Sequence, residues 1–164
     1  MAWDLAAYLE RVRAGCFVCE TLTGSPGYEH HVVHQDDVAV AFLAKYPVAR
    51  GHVLVAPIEH REHVIDDFSW TDYMRLQRVV HAVGGVLKAT VPTERLYVLS
   101  LGSQQGNRHV HWHLVPLPPG VAYEDQQMAF LAESRGWLHF ETAELAALAA
   151  ELRAGVSDKL TENR

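Results

Sequence analysis

Residues 106–120 read GNRHVHWHLVPLPPG, and within them His109, His111 and His113 occupy every second position. Val110, Trp112 and Leu114 fill the places between and after them. A spacing of two is the side-chain period of a β-strand, where residues i, i+2 and i+4 face one side. The stretch therefore predicts a strand that turns Val110, Trp112 and Leu114 to the core and lines up three imidazoles on the other face. Trp112 reads as a core anchor opposite the histidines rather than a stacking platform.

Around this strand the pattern predicts one α+β domain built on an antiparallel sheet of five strands with flanking helices. Residues 3 to about 13 show Leu5, Tyr8, Leu9 and Val12 at helical spacing, followed by a CFVC loop and turn chemistry in TGSPG. YEHHVVH and VAVAFLA flank the turn QDD as two strands, and HVLVAPI is a third, ended by Pro57. A long helix over SWTDYMRLQRVVHAVGGVLKA starts at a Ser69 cap and offers Met74, Leu76, Val79, Val80, Val83 and Leu87 as its apolar face. Gly84 and Gly85 inside it mark a close packing contact. RLYVLSL is the next strand, GSQQGN a polar turn, and HVHWHLVPL its partner. A short helix and an Ala/Leu-rich helix from about Thr142 complete the chain, whose role is to cover a sheet edge, complete a dimer or border a pocket. His30, His31 and His34 read as exposed strand or turn positions.

Bulk properties narrow the function. The 164 residues carry 14 basic and 20 acidic side chains, a net charge of −6, which argues against duplex nucleic acid or an anionic membrane as partner. No stretch approaches the roughly 18 consecutive apolar residues of a membrane span, and MAWDLAAYLERVRAG lacks the apolar centre of a signal peptide. The expectation is a cytoplasmic protein. Its 2 cysteines, Cys16 and Cys19, stand three apart, which in a reducing compartment points to metal or redox chemistry, or to two buried thiols packed as small hydrophobes. The 11 histidines fall mostly between His30 and His113.

Three uses of the alternating histidines compete: a solvated strand face, a shared metal ion, and nucleophilic catalysis by one neutral imidazole whose neighbours fix its tautomer. The preceding turn favours the last. LGSQQGNR offers Ser103, Gln104, Gln105 and Asn107 as uncharged donors beside two glycines, a setting in which backbone N–H groups approach phosphate oxygens closely.

With these residues in place, the chain resembles the histidine triad (HIT) family. HVHWHLV matches its pattern of histidines alternating with apolar residues, VAVAFLAKYPVARGHVLVAPIEH resembles its upstream segment, and CFVC resembles the Cys-x-x-Cys of many bacterial members. The resemblance covers roughly residues 14–117 of a single domain spanning 1–164, with 120–164 a C-terminal helical extension. It implies a homodimer that hydrolyses or transfers nucleotidyl groups of dinucleoside polyphosphates or nucleoside phosphoramidates. His111 falls on the nucleophile that forms a nucleotidyl-imidazole intermediate. His109 and His113 would orient it, contact the phosphate and manage the leaving-group proton, and Gln105 falls on a glutamine near the phosphate. His60 falls on the histidine often counted as a fourth member of the site. In zinc-containing relatives that histidine joins two cysteines and the first histidine of the triad, which implies Cys16, Cys19, His60 and His109 around a structural zinc.

Two positions depart from the family pattern. Ala44, three before Pro47, stands where many relatives place a ribose-binding Asp or Asn. Gly106, three before His109, stands where Ser or Thr is common. Beside the hydrolase reading stand a zinc-stabilised nucleotide-binding module with little turnover and a phosphorylase that uses inorganic phosphate.

Overall fold

Five antiparallel strands form a sheet in the order β1-β2-β3-β5-β4, comprising β1 Val32–Gln35, β2 Ala39–Leu43, β3 Val53–Pro57, β4 Arg95–Ser100 and β5 Trp112–Leu117. The computed structural model describes residues 5–132 and 135–162. Helices α1 (Leu5–Ala14), α2 (Phe17–Thr23), α3 (Trp70–Thr90), α4 (Met128–Leu131) and α5 (Thr142–Glu162) flank it. Residues 3 and 4 of the first expected helix, and the side chains of Leu5 and Tyr8, lie outside the described set. Among the described residues no helix is long and apolar enough to cross a membrane.

Local chemistry explains the element ends. Asp36 closes the β1–β2 turn by accepting the N–H groups of Val38 at 2.8 Å and Ala39 at 2.9 Å. Ser69 caps α3 by accepting the Asp72 N–H at 3.1 Å. CFVC, expected as a loop, instead opens α2. Cys16 is its N-cap, with Sγ accepting the Cys19 N–H at 3.4 Å, and Gly24 ends it in the left-handed conformation at φ +69.

Strand parity divides the sheet into two faces. Val53, Val55, Trp112 and Leu114 pack on α3 and α5 through Leu76, Val80, Val83, Leu87, Leu152 and Val156. Full burial of each such side chain is worth roughly 1.5–3 kcal/mol. Trp112 meets Phe68 and Tyr73 edge-on, with ring centroids 6.3 Å away in both pairs, and is the anchor its sequence position predicts. The expected apolar face of α3 needs one change. Met74 is 48% exposed, whereas Tyr73, one helical position earlier, lies on the side of Leu76, Val80, Val83 and Leu87.

Gly84 does mark a close approach, because a Cβ there would lie 3.0 Å from Leu96 Cδ2 and 3.6 Å from Leu114 Cδ2. Gly85 has only an ordinary contact, at 3.9 Å from Lys159. A second close approach joins α3 to α5, where a Cβ on Gly155 would meet Val86 Cγ1 at 2.7 Å. Of the roles open to the last helices, α5 covers α3 and the β1 edge, while α4 and the segment after it border a cavity on the opposite face.

Candidate active site and metal-ligand cluster

The opposite face carries Val40, Phe42, Leu54 and Ala56 under α2, and in the same parity His52, His113 and Val115. His109 and His111 lie in the chain immediately before β5 rather than within it. Neither is solvated: His109 is 1% and His111 5% exposed, so the reading of a wet histidine face is excluded.

Hydrogen bonds fix the tautomers. His111 Nδ1 lies 2.7 Å from the His109 carbonyl, which can only accept, so Nδ1 carries the hydrogen and Nε2 keeps its lone pair. The Phe17 ring meets His111 edge-on at 5.2 Å, and burial holds the His111 pKa below the usual 6.5. The Val48 N–H points at His52 Nδ1, 3.4 Å away, which makes His52 Nε2 the donor to His113 Nδ1 at 3.0 Å. The His113 hydrogen therefore sits on Nε2. Burial, then the neighbouring imidazoles, push His113 down to about 3, and burial followed by His111 pushes His52 down to about 4. All three imidazoles are neutral at pH 7.

His52 and His113 share with His111 a cavity of about 270 Å³ lined also by Phe17, Ala44, Leu54 and Asn107. The histidine that completes the cluster is thus His52, not His60. Its signal was available, since His52, Leu54 and Ala56 alternate with Val53 and Val55 just as the triad alternates. His30 was also misplaced: it is half-buried, packs on the Phe42 ring of β2 at 4.6 Å and lines the same cavity. His31 and His34 are likewise half-buried.

The turn before the triad divides its donors. Asn107, at φ +56, borders both the His111 cavity and a second one of about 360 Å³. Gln105 lines only the second, beside Cys16, His60 and His109. Ser103 lines neither; its Oγ accepts the Gln105 N–H at 3.1 Å and shapes the turn. Gly106 has a packing reason, because a Cβ there would lie 2.6 Å from Val12 Cγ2 of α1.

Cys16, Cys19, His60 and His109 converge, with ligand atoms within 4.8 Å of one another. Cys16 Sγ is 3.3 Å from His109 Nδ1, and Cys19 Sγ is 3.3 Å from His60 Nδ1 and 3.7 Å from His109 Nδ1. A tetrahedral zinc with ordinary Zn–S and Zn–N lengths separates such atoms by about 3.3–3.8 Å. The outer nitrogens are already engaged. His109 Nε2 donates to the Pro57 carbonyl at 3.0 Å, and His60 Nε2 lies 3.2 Å from Glu62 Oε1, so both Nδ1 lone pairs turn to the sulfurs. Burial and the adjacent Cys16 push the Cys19 thiol up to about 11, a cost that a bound cation reverses. The donor set fits a tetrahedral divalent ion. A metal shared by the triad does not fit, since His113 carries its hydrogen on Nε2 and turns Nδ1 to His52, and both His109 nitrogens are engaged, which leaves the triad a single available lone pair, on His111 Nε2.

The HIT domain model matches residues 26–119. An uncharacterized HIT-like protein of Mycoplasma genitalium is 35% identical over 109 residues, covering 63% of this chain and 73% of that protein. The adenosine 5'-monophosphoramidase of Schizosaccharomyces pombe is 32% identical over 87 residues, 49% of this chain and 59% of that enzyme. In fold, the chain is similar to a hypothetical histidine triad nucleotide-binding protein from Sulfolobus tokodaii, with a TM-score of 0.68 at 23% identity over 87% of this chain and 93% of that one. It is similar also to a Zn-bound histidine triad family protein from Mycobacterium smegmatis, with a TM-score of 0.66 at 17% identity over 93% and 99% of the two chains. The matched span takes in more than half of the sequence and all three alternating histidines, and the chain belongs to the HIT domain family.

Proposed function

We propose that this protein is a nucleotidyl hydrolase or transferase acting on a phosphoanhydride or phosphoramidate through a covalent intermediate on His111. The observation that carries the reading is the fixed tautomer of His111. Its Nδ1–H is held by a backbone carbonyl, and its Nε2 lone pair belongs to a ring lining the cavity. Nε2 attacks the α-phosphorus; a P–N bond forms as the P–O or P–N bond to the leaving group breaks. The leaving group departs with the bonding pair, as a phosphate anion or as an amine that takes a proton from solvent. Water then attacks phosphorus, Nε2 recovers its lone pair, and a proton is released.

His113, with its hydrogen on Nε2 and its ring 4.9 Å from that of His111, donates to the phosphoryl oxygens as charge builds there. It holds its proton, since neutral imidazole gives one up only with difficulty. Asn107, and Gln105 and Ser103 through the turn they shape, are the remaining phosphate-side groups proposed.

Cys16, Cys19, His60 and His109 would hold zinc, whose contribution is structural, a closed four-ligand shell that fixes His109. Through the carbonyl of that same residue the cluster orients His111. The substrate class, a dinucleoside polyphosphate or nucleoside phosphoramidate, is supported by the kinship with the Schizosaccharomyces pombe enzyme. The chain is proposed to work as one domain over 1–164, as a homodimer in the cytoplasm.

Intact-protein mass spectrometry after a rapid acid-free quench tests the reading. Protein offered a dinucleoside polyphosphate and an adenosine phosphoramidate gains one nucleotidyl mass, and the His111→Ala variant gains none. Turnover by His111→Ala would sink the mechanism. Nucleotide binding with no adduct and no product would favour the binding-module reading, and dependence on inorganic phosphate the phosphorylase.

A further inference from the structure

Residues beyond 119 lie outside the matched HIT span, yet they return to the cavity that holds His111. Phe130 and Leu131 of α4 pack with Ala49, Val115 and Leu117 at the far end of β5. The Leu138 N–H then donates to the Pro47 carbonyl at 2.8 Å and ties the following segment to the loop after β2. Between these two anchors sits Trp137, whose ring lies 4.9 Å from that of Tyr46 at an angle of 54°. Tyr46, Val48, Leu131 and Trp137 all line the cavity.

The cavity has two unlike ends. His111, His113 and Val115 follow one another on one face, so Val115 lies roughly 13 Å along an extended chain from His111. His52, His113 and Asn107 gather near His111, with the Phe17 ring against it, whereas the end at Val115 has no such polar group and is walled by aliphatic side chains and the Tyr46–Trp137 pair. A phosphate at the first end leaves a planar, mostly apolar group to occupy the second. Two indole and phenol faces suit a flat heterocycle better than an alkyl chain, because ring contacts add to plain burial.

We propose that Trp137, brought in by the C-terminal extension, is a specificity-determining residue: with Tyr46 it forms the surface that receives the heterocyclic ring of a nucleotide. Only the placement of the phosphate rests on the reaction proposed above.

The test is calorimetric binding of AMP and of ribose 5-phosphate to wild-type protein, Trp137→Ala and Trp137→Phe, each checked for an unchanged melting temperature. AMP binding about tenfold weaker in Trp137→Ala, largely regained in Trp137→Phe, with ribose 5-phosphate changed less than twofold, is the expected result. Equal weakening of both ligands, no loss of AMP affinity, or wild-type protein that prefers AMP no more than ribose 5-phosphate would overturn the proposal. Adduct formation on His111 in the same variants at saturating substrate separates the two readings. A Trp137-dependent preference for AMP without any adduct leaves the ring site standing and removes the catalytic role.

Discussion

The two faces of β5 use the same alternation for opposite ends. On the α3 and α5 side, Trp112 and Leu114 disappear into apolar contacts, and each atom they bury adds to stability without regard to direction. On the other side, His111 just before the strand is buried and His113 within it half-buried; desolvation there costs free energy and is offset by directional hydrogen bonds to the His109 carbonyl and His52. One face holds the strand in place. The other places lone pairs and hydrogens on chosen nitrogens, and burial keeps them there.

If that division is right, the largest effect belongs to His111→Ala. Turnover falls by about 10³-fold or more while the melting temperature barely moves, as steady-state kinetics and calorimetry on the same preparation would record. A variant that lost fold and activity together would erase the distinction between the faces. The mirror experiment is Leu114→Ala, a side chain with 0% exposure beneath α3. Its cost is about 2–5 kcal/mol in urea unfolding, with kcat per folded molecule little changed.

Metal removal sharpens the comparison because the cluster touches both roles. Chelation, or Cys16→Ser, should lower the melting temperature by about 10 °C, from a few kcal/mol of lost binding free energy, and should reduce turnover by loosening His109. Zinc content near one per chain, lost in Cys16→Ser but kept in His111→Ala, is the accompanying assay. Zinc that instead vanished in His111→Ala would put the ion in the triad and break the assignment.

Smaller effects come from the edges. Ser69→Ala should cost about 1 kcal/mol by uncapping α3, without touching KM. The Asp36 carboxyl is held below the usual 3.8, burial pushing it up and the Ala39 and Val38 N–H groups more than offsetting that. A lowered folded pKa means its stabilisation is complete above pH about 3.8 and fades as pH falls through the folded value. Asp36→Ala should therefore cost roughly 0.5–1 kcal/mol at pH 7, after solvent screening, and nothing in strong acid.

Much of this was legible in advance where the signal is local. The strand at Trp112, the cap at Ser69, the turn at Asp36 and the cluster of Cys16, Cys19, His60 and His109 all sit in patterns a few residues long, or in a spacing carried by the family resemblance. The misreadings share a cause. Met74 failed because a helix face shifts by 100° per residue, and Tyr73 rather than Met74 falls on the buried side. CFVC failed as a loop because a cysteine sulfur can cap a helix when it has a second reason to stand at that position. His30 failed because burial of a loop depends on what packs against it, here the Phe42 ring of β2.

What the amino-acid order determined by itself is therefore the alternation: which side chains of each strand share a face, and so that three imidazoles oppose Trp112 and Leu114. The periods of strand and helix are properties of the backbone and need no partner to be read. Only the tertiary structure decided which histidine completes the site and where the last quarter of the chain goes. His52 meets His113 because antiparallel register sets Leu54 beside His113, and Trp137 meets Tyr46 because Leu138 pairs with Pro47 across some ninety residues. Such pairings join segments that no short pattern connects, and they form only when burial of both faces brings the segments together.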